Sequence, residues 1–328
     1  MTTQSLNWAK SVLDTLFYKV AEPITGNLHN TEQICRMLAD EPSRAAYVQE
    51  LAYKALFLTL GLGQRAGQFT GGMPFEKFRQ DCQRAAQDTS LPSIHVEGDP
   101  GMLYHSYTCT FYYRQYEYSR IDEGRPIGPR KGDVMLDCGA CYGDTAAWAA
   151  QYDVKQIFSF EIAPANLKIM ERTFRDNSMT DIAEAVPMAL GAEPGTLWFT
   201  PDPRNDAAGT VGTQQKNNSI AIPVTTVDAF CSERGITPDF IKMDIEGSEY
   251  DALRGAEQTI RRCKPRLAIC LYHHLQDMWR IPLLLKQFAP DYRFYCKKSH
   301  PFVEFVLFAE SEERERERER ETSSSPLC

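Results

Sequence analysis

Apolar positions recur at helical spacing through the first part of the chain and contract into short continuous runs in the second. Leu6, Ala9, Leu13, Leu16 and Val20 form one helical stripe, and Tyr47, Leu51, Ala55 and Leu58 form another that stops at Gly61. Between them, Asn30 with Gln33 reads as a capping box ahead of Ile34, Met37 and Leu38. Pro74 opens a further helix through Phe75, Phe78 and Cys82, since the N–H it lacks is one the first turn leaves unbonded. The glycine-rich stretch 61–72 is a loop, and because it follows no strand it makes a poor phosphate cradle. Residues 1–125 are therefore expected to be a mainly helical N-terminal region that covers a cleft. The aromatic and Thr-rich stretch 104–121 reads as a strand or hairpin within it, and GRPIGPRKGD (124–133) as the junction beyond.

From about 132 to 310 the rhythm changes. Val134–Cys138, Gln156–Glu161, Ala185–Leu190, Phe240–Asp244 and Leu267–Tyr272 are short apolar runs, and residues 144–151, 164–176, 249–262 and 277–289 between and after them look helical. Such alternation predicts a parallel sheet covered on both faces, with ligands beyond the carboxyl ends of the strands. The last stretch, 311–328, alternates Glu with Arg and ends in Ser and Pro. It cannot bury a core and reads as a solvated or disordered tail.

Composition narrows the function. The 328-residue chain is 43% hydrophobic, ample for a core, and carries 44 acidic against 36 basic residues for a net charge of −8. That balance argues against a general nucleic-acid binder, which needs excess Lys and Arg to neutralise phosphates. The opening MTTQSLNWAK lacks the order of a signal peptide, and no apolar run approaches the roughly 20 residues of a membrane span. A cytoplasmic protein with no membrane partner is expected, its ten scattered cysteines reduced.

The chemistry concentrates at strand ends. LDCGACYGDTAAW (136–148) contains a C-x-x-C, which can be a redox pair or half a zinc site, and also a Gly-x-x-x-Gly turn from strand to helix. Glu161 closes the next strand roughly 20 residues on, where a carboxylate can accept hydrogen bonds from ribose hydroxyls. The turn lacks the G-x-G-x-x-G of a pyrophosphate cradle, and Asp137 within it would repel phosphate but hold an ammonium group. S-adenosyl-L-methionine fits these residues better than NAD, and Cys138 and Cys141 become incidental. Tyr272-His273-His274 ends another strand. An imidazole with a pKa near neutrality suits proton removal from a hydroxyl acceptor, so His273 and then His274 are the candidate bases, with Asp244 as the carboxylate alternative and His300 a weaker one. No H-x-x-x-H or H-E-x-x-H spacing is present, and no metal is expected.

LDCGACYGDTAAW, FEIAP, PMALGAEPGTLWF, IPVTTVDAF and above all DFIKMDIEGSEYDALRGA make the chain similar to the FkbM family of S-adenosylmethionine-dependent methyltransferases, from about Asp133 to Glu310. Cys141 stands where the family's turn commonly has Asn. The resemblance implies an α/β, class I methyltransferase (Rossmann-like) fold, a mostly parallel sheet with helices on both faces, over 132–310. It implies Asp137, Gly139 and Gly143 around the methionine moiety, with Cys141, Asp144 and Thr145 in the same turn and Glu161 on the ribose. Met188 and Ala189, ending a strand, would lie near adenine, and Asp244 and Glu246 would face cofactor and substrate. The expected acceptor is a hydroxyl of a sugar or secondary metabolite. Nitrogen methylation, or a non-catalytic cofactor-binding module on the same fold, are the alternatives.

Overall fold

The computed structural model describes residues 22–60, 75–94, 118–121, 126–202, 205–298 and 305–313. The first helical stripe, the loop at 61–72, the aromatic stretch 104–117, His300 and the Glu/Arg tail from 314 onward lie outside them.

The centre is a seven-stranded sheet. Its strands are β1 (Val134–Cys138), β2 (Gln156–Phe160), β3 (Ala183–Val186), β8 (Phe240–Met243), β9 (Arg266–Cys270), β10 (Tyr292–Lys298) and β11 (Phe305–Ser311), in the order β10-β11-β9-β8-β1-β2-β3. Neighbours run parallel except around β11, which is antiparallel to both β9 and β10. Every residue of β8 and β9 is buried, as expected of strands covered on both faces. Helices α4 (Asp144–Ala150), α5 (Pro164–Asp176), α6 (Val227–Arg234), α7 (Glu249–Arg254), α8 (Glu257–Cys263) and α9 (Asp277–Phe288) connect and cover them. The chain leaves β1 in one direction, to β2 and β3, and returns on its other side at β8. Cys138 pairs with Phe160 and Met243, so these strands end level and the reversal in strand order opens between β1 and β8.

Three local expectations need correction. The apolar run Ala185–Leu190 is not one strand. β3 ends at Val186, Pro187 has no N–H to continue a ladder, and Ala189–Leu190 (β4) joins a second sheet. That sheet, β4-β7-β5-β6, adds β5 (Gly195–Asp202), β6 (Asn205–Gly212) and β7 (Ile220–Thr225), for which no expectation was formed. The helix expected over 249–262 breaks into α7 and α8 at Gly255, whose backbone approaches so closely that a Cβ there would lie 2.2 Å from the Gly191 carbonyl oxygen. Asn30 does not cap its helix. α1 (Leu28–Met37) starts a turn earlier, and the Asn30 amide donates back to the Asn27 side chain at 2.8 Å.

Two of the N-terminal helices lean on the edge of the main sheet. The stripe through Tyr47 lies on α2 (Glu41–Leu60), and the helix after Pro74 is α3 (Phe75–Ala85). Tyr47 is fully buried and donates to the Met278 carbonyl at 2.8 Å, while Ser43 accepts the Cys296 N–H at 3.0 Å. Lys54, further along α2, donates to the Tyr272 carbonyl at 2.8 Å, which ties this helix to the end of β9.

Candidate functional site

The turn after β1 is built by close approach. Gly139 has φ +82°, and a Cβ on it would fall 1.7 Å from the Asp244 carbonyl oxygen; one on Gly143, at φ +80°, would meet Phe174 at 2.9 Å. Cys141 is itself left-handed at φ +48°. The Gly139 and Ala140 N–H groups both donate to the Phe160 carbonyl, at 3.0 and 2.9 Å, hooking the turn onto the end of β2.

Asp137 precedes this turn, fully buried, and neither carboxylate oxygen has a hydrogen-bond partner among the described residues. Its counter-charge is Lys242, on the neighbouring strand, with Nζ 3.2 Å from Oδ1. The same ammonium donates to the Gly139 carbonyl at 2.5 Å and lies 4.9 Å from the centre of the Tyr118 ring. Burial raises the Asp137 pKa despite Lys242. Burial, opposed by Lys242 and reinforced by Asp137, also pushes the Asp144 carboxyl up to about 7. Burial likewise drives the Cys138 and Cys141 thiols well above their ordinary range, and the charge of Asp137 acts on the first in the same sense as Asp144 and Glu161 on the second. A thiol so held is not the thiolate that redox exchange or zinc binding requires, and among the described residues neither cysteine joins a cluster of metal ligands. Thr145 is buried in the first turn of α4.

The other expected cofactor residues are less uniform. Glu161 closes β2, but its Oε1 already accepts the N–H groups of Ile162 and Ala163 at 2.6 and 2.8 Å. Met188 and Ala189 do not end a strand of the main sheet. They follow the break at Pro187, half-buried, Met188 against the main core and Ala189 pairing with Val224.

Across the cleft, Asp244 follows β8. Tyr118 donates to its Oδ2 at 2.8 Å and Tyr272 to its Oδ1 at 2.9 Å. His273 Nε2 lies 3.4 Å from Asp244 Oδ1 and 3.3 Å from Glu246 Oε2, and Nδ1 lies 3.0 Å from Glu249 Oε1. That Glu249 oxygen also accepts the Ile245 N–H at 2.7 Å, so a carboxylate in the first turn of α7 folds back over the loop before it. The loop turns through two left-handed residues, Glu246 at φ +55° and Gly247 at φ +98°. A Cβ on Gly247 would lie 2.4 Å from His274 Nε2. The two histidines therefore face different ways in the loop after β9, which bends at His273: His273 meets the carboxylates and His274 packs on the Gly247 backbone.

This geometry corrects the expectation of a base poised near neutrality. Burial alone would lower the His273 pKa, but the carboxylates of Glu246, Glu249 and Asp244 outweigh it and push it up to about 10. Four residues of the site were not anticipated. Lys242 was visible as a lone charge in the apolar run FIKM, and Glu249 as the second acid of EGSE. Tyr272 stood beside the histidines. Tyr118 carried no signal, since only folding brings it to Asp244.

A groove of about 1230 Å³ lined by Arg36, Arg44, Lys286, Arg293, Glu312 and Glu313 among others sits at the start of β10, the opposite end of the sheet. It contains none of these residues.

A sheet of this order, with a glycine turn after its first strand and acids closing its second and fourth parallel strands, is a class I methyltransferase fold. Residues 137–310 match the methyltransferase FkbM domain, and the chain belongs to that family. The fold is similar to the crystal structure of methyltransferase FkbM from Methylobacillus flagellatus KT, at 20% identity and a TM-score of 0.56, over 88% of this chain and 60% of that one. A weaker likeness, TM-score 0.37 at 11% identity over 77% of this chain and 97% of the other, is to an O-methyltransferase from Bacillus cereus in complex with SAH. No curated protein matches the chain. Among the described residues, no helix is long and apolar enough to cross a membrane.

Proposed function

We propose that the protein binds S-adenosylmethionine and catalyses transfer of its methyl group to a hydroxyl of a sugar or secondary metabolite, a small-molecule or glycan acceptor and neither nucleic acid nor membrane. The observation that carries the cofactor reading is Asp137, a buried carboxylate beside the glycine turn with neither oxygen hydrogen-bonded among the described residues. Such a group suits an ammonium and repels phosphate, and Gly139 and Gly143 let the turn beside it pack against Asp244 and Phe174 where a Cβ would clash. The donor set therefore fits a zwitterionic amino-acid tail and not a pyrophosphate.

When bound, the cofactor supplies an electron-poor methyl group on a sulfonium. Asp137 takes its ammonium, held in place by Lys242, with Cys141, Asp144 and Thr145 completing the turn. Glu161 meets the ribose through whatever capacity its capping role leaves, Met188 and Ala189 flank the adenine, and Glu246 lies at the rim. Asp244, braced by two tyrosine hydroxyls, and His273, braced by Glu249, face the acceptor. Fixing donor and acceptor in line is the largest service such a site performs. His273, whose pKa the surrounding carboxylates raise, is a poor base at neutral pH and serves to orient the acceptor, and His274 is a positioning residue under Gly247.

S-adenosylhomocysteine at 100 times its Kd should stabilise the protein by about 2.7 kcal/mol in a thermal-shift titration, and NAD should not. Equal shifts with both, or none with the homocysteine compound, would falsify the cofactor reading. Incubation of the protein and S-adenosylmethionine with small-molecule extracts should yield a product heavier by one methyl group, and fragmentation that places it on nitrogen would replace the O-methylation reading. Glu161→Ala should weaken cofactor binding by about 1–3 kcal/mol, read by calorimetry. An unchanged affinity would reduce Glu161 to a helix cap.

A further inference from the structure

We propose that Asp244, Glu249 and His273 form a binding site for one divalent transition-metal ion. One donor atom from each, two carboxylate oxygens and an imidazole nitrogen, lies within 4.8 Å of the others. They come from three separate places, the loops after β8 and β9 and the first turn of α7, so no sequence spacing announces them.

Hydrogen bonding within the protein does not account for this cluster. Glu249 is completely buried, yet its Oε2 has no hydrogen-bond partner among the described residues. Both ring nitrogens of His273 are buried as well, 3.0 to 3.4 Å from carboxylate oxygens of three residues, more acceptors than one imidazole has N–H groups. Buried polar atoms are normally satisfied, so a buried carboxylate oxygen and a buried imidazole left unsatisfied beside a second carboxylate call for a ligand that takes one lone pair from each residue. Charge points the same way. Asp244, Glu246 and Glu249 converge on a single imidazole, while the nearby Lys242 is engaged with Asp137 and the turn carbonyls. Glu246, with its side chain 89% exposed and 3.3 Å from His273, is placed to swing in as a fourth ligand.

The ligands are oriented as metal ligands usually are, by partners behind them. Tyr118 and Tyr272 fix the Asp244 carboxylate, and the Ile245 N–H fixes Glu249. A mixed nitrogen and oxygen set favours Mn²⁺, Fe²⁺, Co²⁺ or Zn²⁺ over Mg²⁺, which prefers oxygen alone. Three protein ligands leave coordination positions open. An acceptor hydroxyl bound there is acidified by the ion, and no strong protein base is needed. This last role rests on the methyl-transfer reading; the site itself does not.

The test uses the full chain, stripped with EDTA and titrated with Mn²⁺ while the electron paramagnetic resonance of the free ion is followed. The site predicts uptake of one equivalent, displaced by Zn²⁺ and not by equimolar Mg²⁺, with electron spin-echo modulation from a directly bound nitrogen. His273→Ala and Glu249→Gln should abolish uptake while S-adenosylhomocysteine still binds, which shows that each variant is folded. The nitrogen modulation in the wild type decides the matter should either variant fail to fold. Absence of stoichiometric uptake by a protein that binds S-adenosylhomocysteine overturns the ion site and leaves the methyltransferase reading intact. Uptake without nitrogen modulation, or undiminished in folded His273→Ala, also overturns it. Uptake with the predicted signature in a protein that binds no S-adenosylhomocysteine supports the ion site and removes the methyl-transfer reading instead.

Discussion

Lys242→Met should destabilise the protein by about 3–5 kcal/mol, the usual cost of removing one member of a buried ion pair. Methionine fills nearly the same volume, so packing loss contributes little. What remains is Asp137, fully buried, with no hydrogen-bond partner among the described residues and no counter-charge within the 3.2 Å at which Lys242 now stands. Two carbonyls of the glycine turn, those of Cys138 and Gly139, lose a donor as well. Most of that loss should return in the double variant Lys242→Met with Asp137→Asn, which removes the stranded charge. Guanidinium denaturation of the wild type, both single variants and the double variant gives the coupling directly. Additive effects would mean that the two groups do not act as a pair. Cofactor binding should not return with stability, because the amide no longer offers a charge to an ammonium group.

Gly139→Ala should cost about 3–6 kcal/mol, combining an unfavourable left-handed backbone with overpacking. Neither component can relax cheaply. The added Cβ meets the Asp244 carbonyl at 1.7 Å, backbone against backbone, so the β1 turn and the end of β8 have to separate. That movement displaces Asp137, Lys242 and Asp244 together, and S-adenosylhomocysteine binding should be lost even below the melting temperature. Gly132→Ala provides a comparison: it shares the positive φ, at +80°, but has nothing within 4 Å of its Cβ position. A similar loss in both variants would show that backbone conformation alone, and not the contact with Asp244, sets the cost.

Much of the architecture was legible because it depends on local rules. Buried parallel strands must be nearly continuous apolar runs, and β1, β2 and β8 end within a residue of the run that predicts them for that reason, while β9 ends at Cys270, two residues short of Tyr272. Glycines that a turn cannot do without marked the end of the sheet where Asp137 and Asp244 lie. The failures were places where a neighbour overrode a pattern. Ala185–Leu190 is apolar throughout, yet Pro187 cannot continue the ladder and the run is divided between two sheets. The helical period of 249–262 continues through Gly255, where contact with the Gly191 carbonyl interrupts it.

The sequence by itself determined the family, the alternation of parallel strands and helices, and the glycine turn and acids after β1, β2 and β8, since these follow from periodicity, turn chemistry and motif. Only the tertiary structure decided what those residues do to one another. His273 reads alone as a base titrating near neutrality, but three carboxylates from two other segments raise its pKa. Asp137 reads alone as an ammonium ligand, but it depends on Lys242, a hydrogen-bonding step away on the next strand. Tyr118 has no meaning until it reaches Asp244. Electrostatic energy depends on distance and burial, and both are set by which strands lie side by side and not by spacing along the chain.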